Sequence, residues 1–147
     1  MSEDTARSVR IERTSVGKYV VQNVRGGSIP LGTGQDADFT AVELLLAAIG
    51  GCTAGDVDLI TSRRAEPTRF VVEVTGDKVR DEAGGNRMRN LTVVFTATFP
   101  AGPDGDRARE ALPRSLRQSH DRLCTVSRTV ELGSPVSVVE SEATTER

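Results

Sequence analysis

Aromatic side chains are scarce in this chain of 147 residues: they make up 3%, and tryptophan is absent. The core must therefore be aliphatic, and a lean core of that kind leaves room for further burial between subunits. Basic residues are not in excess, since the formal net charge is -2; the electrostatic footprint of a nucleic-acid binder is missing. The longest apolar run holds Glu43 and stops after about a dozen residues, too short for a bilayer span, so no membrane partner is expected. The opening residues Met-Ser-Glu-Asp-Thr-Ala-Arg-Ser carry acids and no apolar centre, so they do not read as a secretory signal. Cysteine occurs only twice. Two thiols without a signal sequence point to the reducing cytoplasm, where a disulfide is more often transient than structural.

Charged residues make up 27% and hydrophobic ones 37%, the balance of a soluble globular chain whose length fits one domain. Residues 1–8 and 141–147 are polar and read as flexible ends around a single domain over 9–140. Val9 to Arg13 alternates as a strand does, and Lys18 to Val24 follows as a second strand after a Ser15-Val16-Gly17 turn. The glycine-rich link from Arg25 to Gly34 has room for one short strand at Ser28 to Leu31. Asp38 or Thr40 can cap a helix running from about Ala41 to Arg64, apolar nearly all round in its first half and stopped before Pro67. Phe70 to Val74 and Leu91 to Phe99 read as strands about a polar turn at Asp81 to Asn86. Pro103-Asp104 opens a second helix reaching Leu123, which Pro113 should kink or split. Thr125 to Leu132 and Val136 to Glu140 read as a closing hairpin around Gly133-Ser134. The order is that of an α+β domain.

Cys52 ends the apolar run Ala41 to Cys52, just after Gly50 and Gly51. Each glycine is about 1 kcal/mol less favourable in a helix than alanine, so the pair predicts close backbone packing there. Cys52 can be a small core residue or a reactive thiol; both readings stand. Cys124 closes the run Ser119 to Cys124, with His120, the only histidine, four positions earlier. On a regular helix the two would share a face, and an imidazolium there would raise the thiolate fraction. Two cysteines and one histidine at these spacings make no zinc pattern, and a further ligand would have to be a carboxylate. Gly26-Gly27 and Gly32-Thr33-Gly34 lack the spacing and lysine of a phosphate loop. No metal or cofactor is expected.

Two runs, Val42 to Val57 (Val-Glu-Leu-Leu-Leu-Ala-Ala-Ile-Gly-Gly-Cys-Thr-Ala-Gly-Asp-Val) and Ser119 to Ser127 (Ser-His-Asp-Arg-Leu-Cys-Thr-Val-Ser), resemble the OsmC/Ohr family of thiol peroxidases, and specifically its OsmC-like branch. The resemblance implies an α+β fold in which two long central helices are wrapped by antiparallel sheets of an intertwined homodimer. It implies reduction of organic hydroperoxides, and of hydrogen peroxide, with no metal, haem or flavin. Cys52 would then be the peroxidatic thiol and Cys124 the resolving one, recycled by a dithiol reductant. Hydroperoxide-resistance members place a Pro-Glu pair ten and eleven positions before the first cysteine, the Glu holding an Arg near the sulfur. Those positions here are Val42 and Ala41, and Glu43 sits one residue nearer, turned by about 100°. Arg25 is the first candidate for the partner cation, with Arg10 and Arg13 behind it. A different class shares the scaffold: a non-catalytic dimer that binds a small apolar ligand at the subunit interface.

Overall fold

Period-two alternation at the start of the chain becomes a meander. β1 (Arg10–Ser15) pairs antiparallel with β2 (Lys18–Gln22), which pairs antiparallel with β3 (Ser28–Gly32). Gly17, at φ 71°, takes the left-handed conformation that the tight first turn needs. The second turn is built by Asn23, whose side-chain oxygen accepts from the amides of Arg25 and Gly27, each at 2.9 Å. A two-residue strand, β4 (Phe39–Thr40), adds in parallel to β3, with Leu31 opposite Phe39 and Gly32 opposite Thr40. Strand β4 is absent from the sequence reading, because two residues are too few to show alternation.

The computed structural model describes residues 4–147, in two units: residues up to 48 with 74–92, and Ile49–Glu73 with Val93–Arg147. The amino-terminal segment expected to be flexible lies partly outside the described residues. The first unit holds the four-stranded sheet, the start of helix α1 (Ala41–Thr61) and the distal half of a hairpin formed by β5 (Arg69–Arg80) and β6 (Asn86–Thr98). Both hairpin strands extend further than alternation alone marked out. Their turn is held by Asp81, whose carboxylate accepts from the Gly85 amide at 2.9 Å. Thr40, not Asp38, caps α1. Its Oγ1 accepts from the Glu43 amide at 3.2 Å, while Glu43 Oε1 accepts from the Thr40 amide at 2.8 Å, a reciprocal capping box.

The second unit holds the rest of α1, the root of the hairpin, α2 (Pro103–Gln118), a π-helical turn (Ser119–Leu123) and α3 (Thr125–Leu132). Phe70 and Phe95 meet edge to face across the hairpin root, with centroids 5.7 Å apart. Among the described residues, only Gly32 is buried in the first unit; Ile49, Val57, Ala108, Ala111 and Cys124 make the apolar core of the second. Helix α2 presents Gly105, Ala108, Ala111 and Ser115 at three- and four-residue spacing, so its buried stripe is made of small residues. Gly105 is required there, because a Cβ would collide with the Pro100 carbonyl oxygen.

Five expectations need correction. Thr125 to Leu132 is a helix, not a strand, and Val136 to Glu140 forms no strand; Val136 and Val138 are 87% and 92% exposed. The β-branched residues at 125, 126, 129 and 130 mimic alternation, but Cys124 caps this segment as a helix. Helix α1 ends at Thr61, three residues before the expected Arg64. Its 21 residues are, by length and composition, long and apolar enough to cross a membrane, although the apolar run is interrupted by Glu43 and Asp56. Gly50 is buried, but a side chain at Gly51 would meet nothing within 4 Å, so close backbone packing within the chain does not explain Gly51. Pro113 is carried inside an unbroken α2; the irregular turn comes later, at Ser119.

Candidate functional site

Helical spacing on α1 places Cys52 and Asp56 one turn apart on the same face, with Thr53 beside them. The other half of the site comes from the end of α2. There the helix widens by one residue, and the Cys124 amide donates to the Ser119 carbonyl at 2.8 Å, five residues back. Ser119 Oγ donates to Asp56 Oδ2 at 2.8 Å, which ties the π turn to α1. Cys124 then leaves the helix with extended backbone (φ −73°, ψ 98°) and becomes the N-cap of α3. The sulfurs of Cys52 and Cys124 and a carboxylate oxygen of Asp56 all lie within 4.8 Å of one another. Every residue of this cluster belongs to the second unit.

The first amides of a helix have no partner inside it and point outward with the positive end of its dipole. Here they point at sulfur. The Ser127 amide donates to Cys124 Sγ at 3.4 Å, and the Val126 amide favours the thiolate of Cys52. Cys124 Sγ also accepts from Thr53 Oγ1 at 3.4 Å and hydrogen-bonds Ser127 Oγ at 3.2 Å.

These contacts separate the two thiols. Burial pushes the Cys52 thiol up, and Cys124 and the Asp56 charge add to the rise against the Val126 amide, leaving it above its ordinary value. Burial pushes Cys124 up as well, but hydrogen bonds from Ser127, Thr53 and Cys52 outweigh it, leaving that thiol below its ordinary value. Access runs the other way: Cys124 is fully buried, whereas Cys52 is only half-buried.

The remaining candidates sit elsewhere. His120 is exposed, and its Nε2 lies 3.4 Å from Glu131 Oε1 on the surface. The π turn explains this: the wider helical step and the extended Cys124 backbone remove the shared face that four-residue spacing would give. Glu43 serves the capping box of α1, where hydrogen bonds from Thr40 hold its carboxyl below the usual range. Arg25 lies exposed in the Asn23-to-Gly27 turn of the first unit. No cation contributes to either thiol shift among the described residues. Thr53, Asp56, Ser119, Val126 and Ser127 were not singled out by sequence reasoning. The signal that could have found them is the Cys124-x-x-Ser127 spacing of a helix cap, followed by Val126 and Val130 one turn apart.

The fold is shared with solved structures. A hypothetical protein from Aquifex aeolicus VF5 superposes with a TM-score of 0.69 at 19% identity, covering 88% of this chain and 89% of that one. An OsmC-like protein of unknown function from Vibrio cholerae O1 biovar eltor str. N16961 gives 0.70 at 14% identity, covering 89% and 95%. The organic hydroperoxide resistance protein OhrB of Bacillus subtilis gives 0.52 at 12% identity, covering 83% and 90%. At such identities the likeness is one of fold. No curated protein matches the chain. The family model described as OsmC-like protein matches residues 33–139, a span that carries both cysteines and the elements that bring them together; the chain belongs to the OsmC-like protein family.

Proposed function

We propose that this chain is a cytoplasmic, thiol-dependent peroxidase that reduces organic hydroperoxides, and hydrogen peroxide, through a cycle of Cys52 and Cys124. One observation carries the reading: two free thiols in one chain lie within 4.8 Å of each other, and one of them takes the Ser127 amide at the start of α3. The peroxidatic role falls to Cys52 because it is the sulfur a substrate can reach. Cys52 gives up its proton to solvent and its thiolate attacks a peroxide oxygen. The O–O bond breaks, Cys52 becomes a sulfenic acid, and the alkoxide takes a proton from solvent to leave as an alcohol. Cys124 then attacks the sulfenic sulfur, its own proton leaves with the hydroxide as water, and a disulfide forms. The peroxide gains two electrons and the thiols lose two. An external dithiol reopens the bridge by exchange.

The same reading takes the working form to be a homodimer. The sheet of the first unit leaves Ile11, Ile29 and Phe39 exposed and buries only Gly32, so it has no core of its own. Helix α1 leaves Leu59 67% exposed, and added side chains at Gly51 or Gly55 would meet nothing within 4 Å. A second chain would cover such surfaces.

The test is consumption of cumene hydroperoxide with dithiothreitol as reductant. Wild-type protein should turn it over, Cys52→Ser protein should lose at least about 100-fold of the rate, and Cys124→Ser protein should over-oxidise at Cys52. Equal consumption by wild type and Cys52→Ser would remove the enzyme reading.

A further inference from the structure

The carboxylate in the cysteine cluster does nothing useful for a thiolate nucleophile. Asp56 places negative charge beside two sulfurs, and no arginine or lysine among the described residues offsets it at the thiols. Two thiolates and a carboxylate are, however, the donor set of a borderline-soft divalent cation. We propose that Cys52, Asp56 and Cys124 form a three-ligand site for a metal of the zinc class in the reduced protein.

The geometry supports this independently of any redox role. The three ligand atoms lie within 4.8 Å of one another, so a point at their centre is no more than about 2.8 Å from each. Zinc bonds of about 2.3 Å to sulfur and 2.0 Å to oxygen then ask each atom to move inward by no more than about an ångström. Cys52 and Asp56 are one helical turn apart on a rigid element, and Cys124 is held at the junction of the π turn and α3. A supporting shell is already in place. Ser119 holds one Asp56 oxygen, the Val126 amide faces Cys52, and the Ser127 amide donates to Cys124. Cys52 and Asp56 are half-buried, which leaves a fourth position open to water or an anion. The surface pair His120 and Glu131 offers only two ligands, both more than half exposed.

Binding would release the two thiol protons and form two metal–sulfur bonds with no change in oxidation state. A metal held this way occupies both sulfurs, so it would reversibly block the peroxide cycle; that consequence rests on the proposed function, whereas the binding does not. The hard cations magnesium and calcium prefer all-oxygen shells and would not compete.

Anaerobic titration of the reduced chain with cobalt(II) tests the site through its thiolate-to-cobalt charge-transfer band. One cobalt per chain is expected, with the intensity of two thiolates and displacement by zinc. Asp56→Asn should weaken binding at least tenfold, Cys52→Ser and Cys124→Ser should each halve or abolish the band, and His120→Ala should leave it unchanged. Disulfide-oxidised protein should not bind. A measurement on wild type alone guards against a variant that misfolds: zinc should protect both cysteines from iodoacetamide, and a chelator should restore their reactivity. Absence of the band and of protection would overturn the site, as would a band indifferent to Asp56→Asn in folded protein. Peroxide consumption measured separately, with chelator present, keeps the two ideas apart. Loss of turnover with intact cobalt binding would sink only the peroxidase reading, and the reverse result only the metal site.

Discussion

Closing a bond between Cys52 and Cys124 should make the protein harder to melt. The bridge would span about 72 residues, and in the chain-entropy model a loop of that size stabilises by about 4 to 5 kcal/mol. Part of this is offset. Cys124 Sγ accepts from Thr53 Oγ1 and the Ser127 amide and donates to Ser127 Oγ, and a disulfide sulfur is a poor acceptor and has no proton to donate. Weakening those contacts costs about 2 kcal/mol in all. The net gain is then about 2 to 3 kcal/mol. For a chain of 147 residues each kcal/mol moves the melting midpoint by about 3 °C, so the oxidised form should melt roughly 6 to 9 °C above the reduced form. Differential scanning calorimetry at one chain concentration, on protein treated with one equivalent of cumene hydroperoxide or with dithiothreitol, reads this directly. Cys124→Ser protein should show no such gap. An oxidised form that melts at or below the reduced one would refute the reasoning.

Three further outcomes follow from single contacts. Ser127→Ala removes a hydroxyl that stabilises the Cys124 thiolate; the ultraviolet thiolate titration of the reduced protein should move to higher pH, with the thiolate fraction near neutrality falling about fivefold for a bond of about 1 kcal/mol. Glu43 titrates below its ordinary 4.5 because the Thr40 amide and hydroxyl hold its carboxylate. A depressed carboxylate stabilises the fold above pH 4.5 and loses that contribution as pH falls through the depressed value. The melting difference between wild type and Glu43→Gln should therefore be full at neutral pH and close in acid. Gly105→Ala drives a methyl into the Pro100 carbonyl; urea titration should show a loss of about 3 kcal/mol or more.

Much of the fold was legible because its signals are local. The alternation of Arg10 to Gln22, the turn glycine at 17, the Thr40 cap and the apolar run of α1 each act within a few residues. The pairing of Cys52 with Cys124 came through the resemblance, since nothing local joins residues so far apart. What the sequence hid lies around Cys124. A π turn has no propensity signature, and it moved His120 to the surface while bringing Ser119 onto Asp56. The β-branched run after Cys124 looked like a strand until a sulfur served as its helix cap. That cap aims the Val126 and Ser127 amides at the two thiols, so the misread element is the one that tunes the site.

The most direct measurement is mass spectrometry of reduced protein exposed to one equivalent of cumene hydroperoxide and digested without reductant. One alcohol released per chain, both free thiols lost, and a single linked peptide pair containing Cys52 and Cys124 from the same chain are the predicted result. Thiols that survive the exposure, or a Cys52 driven to sulfonic acid while Cys124 stays reduced, would contradict the account.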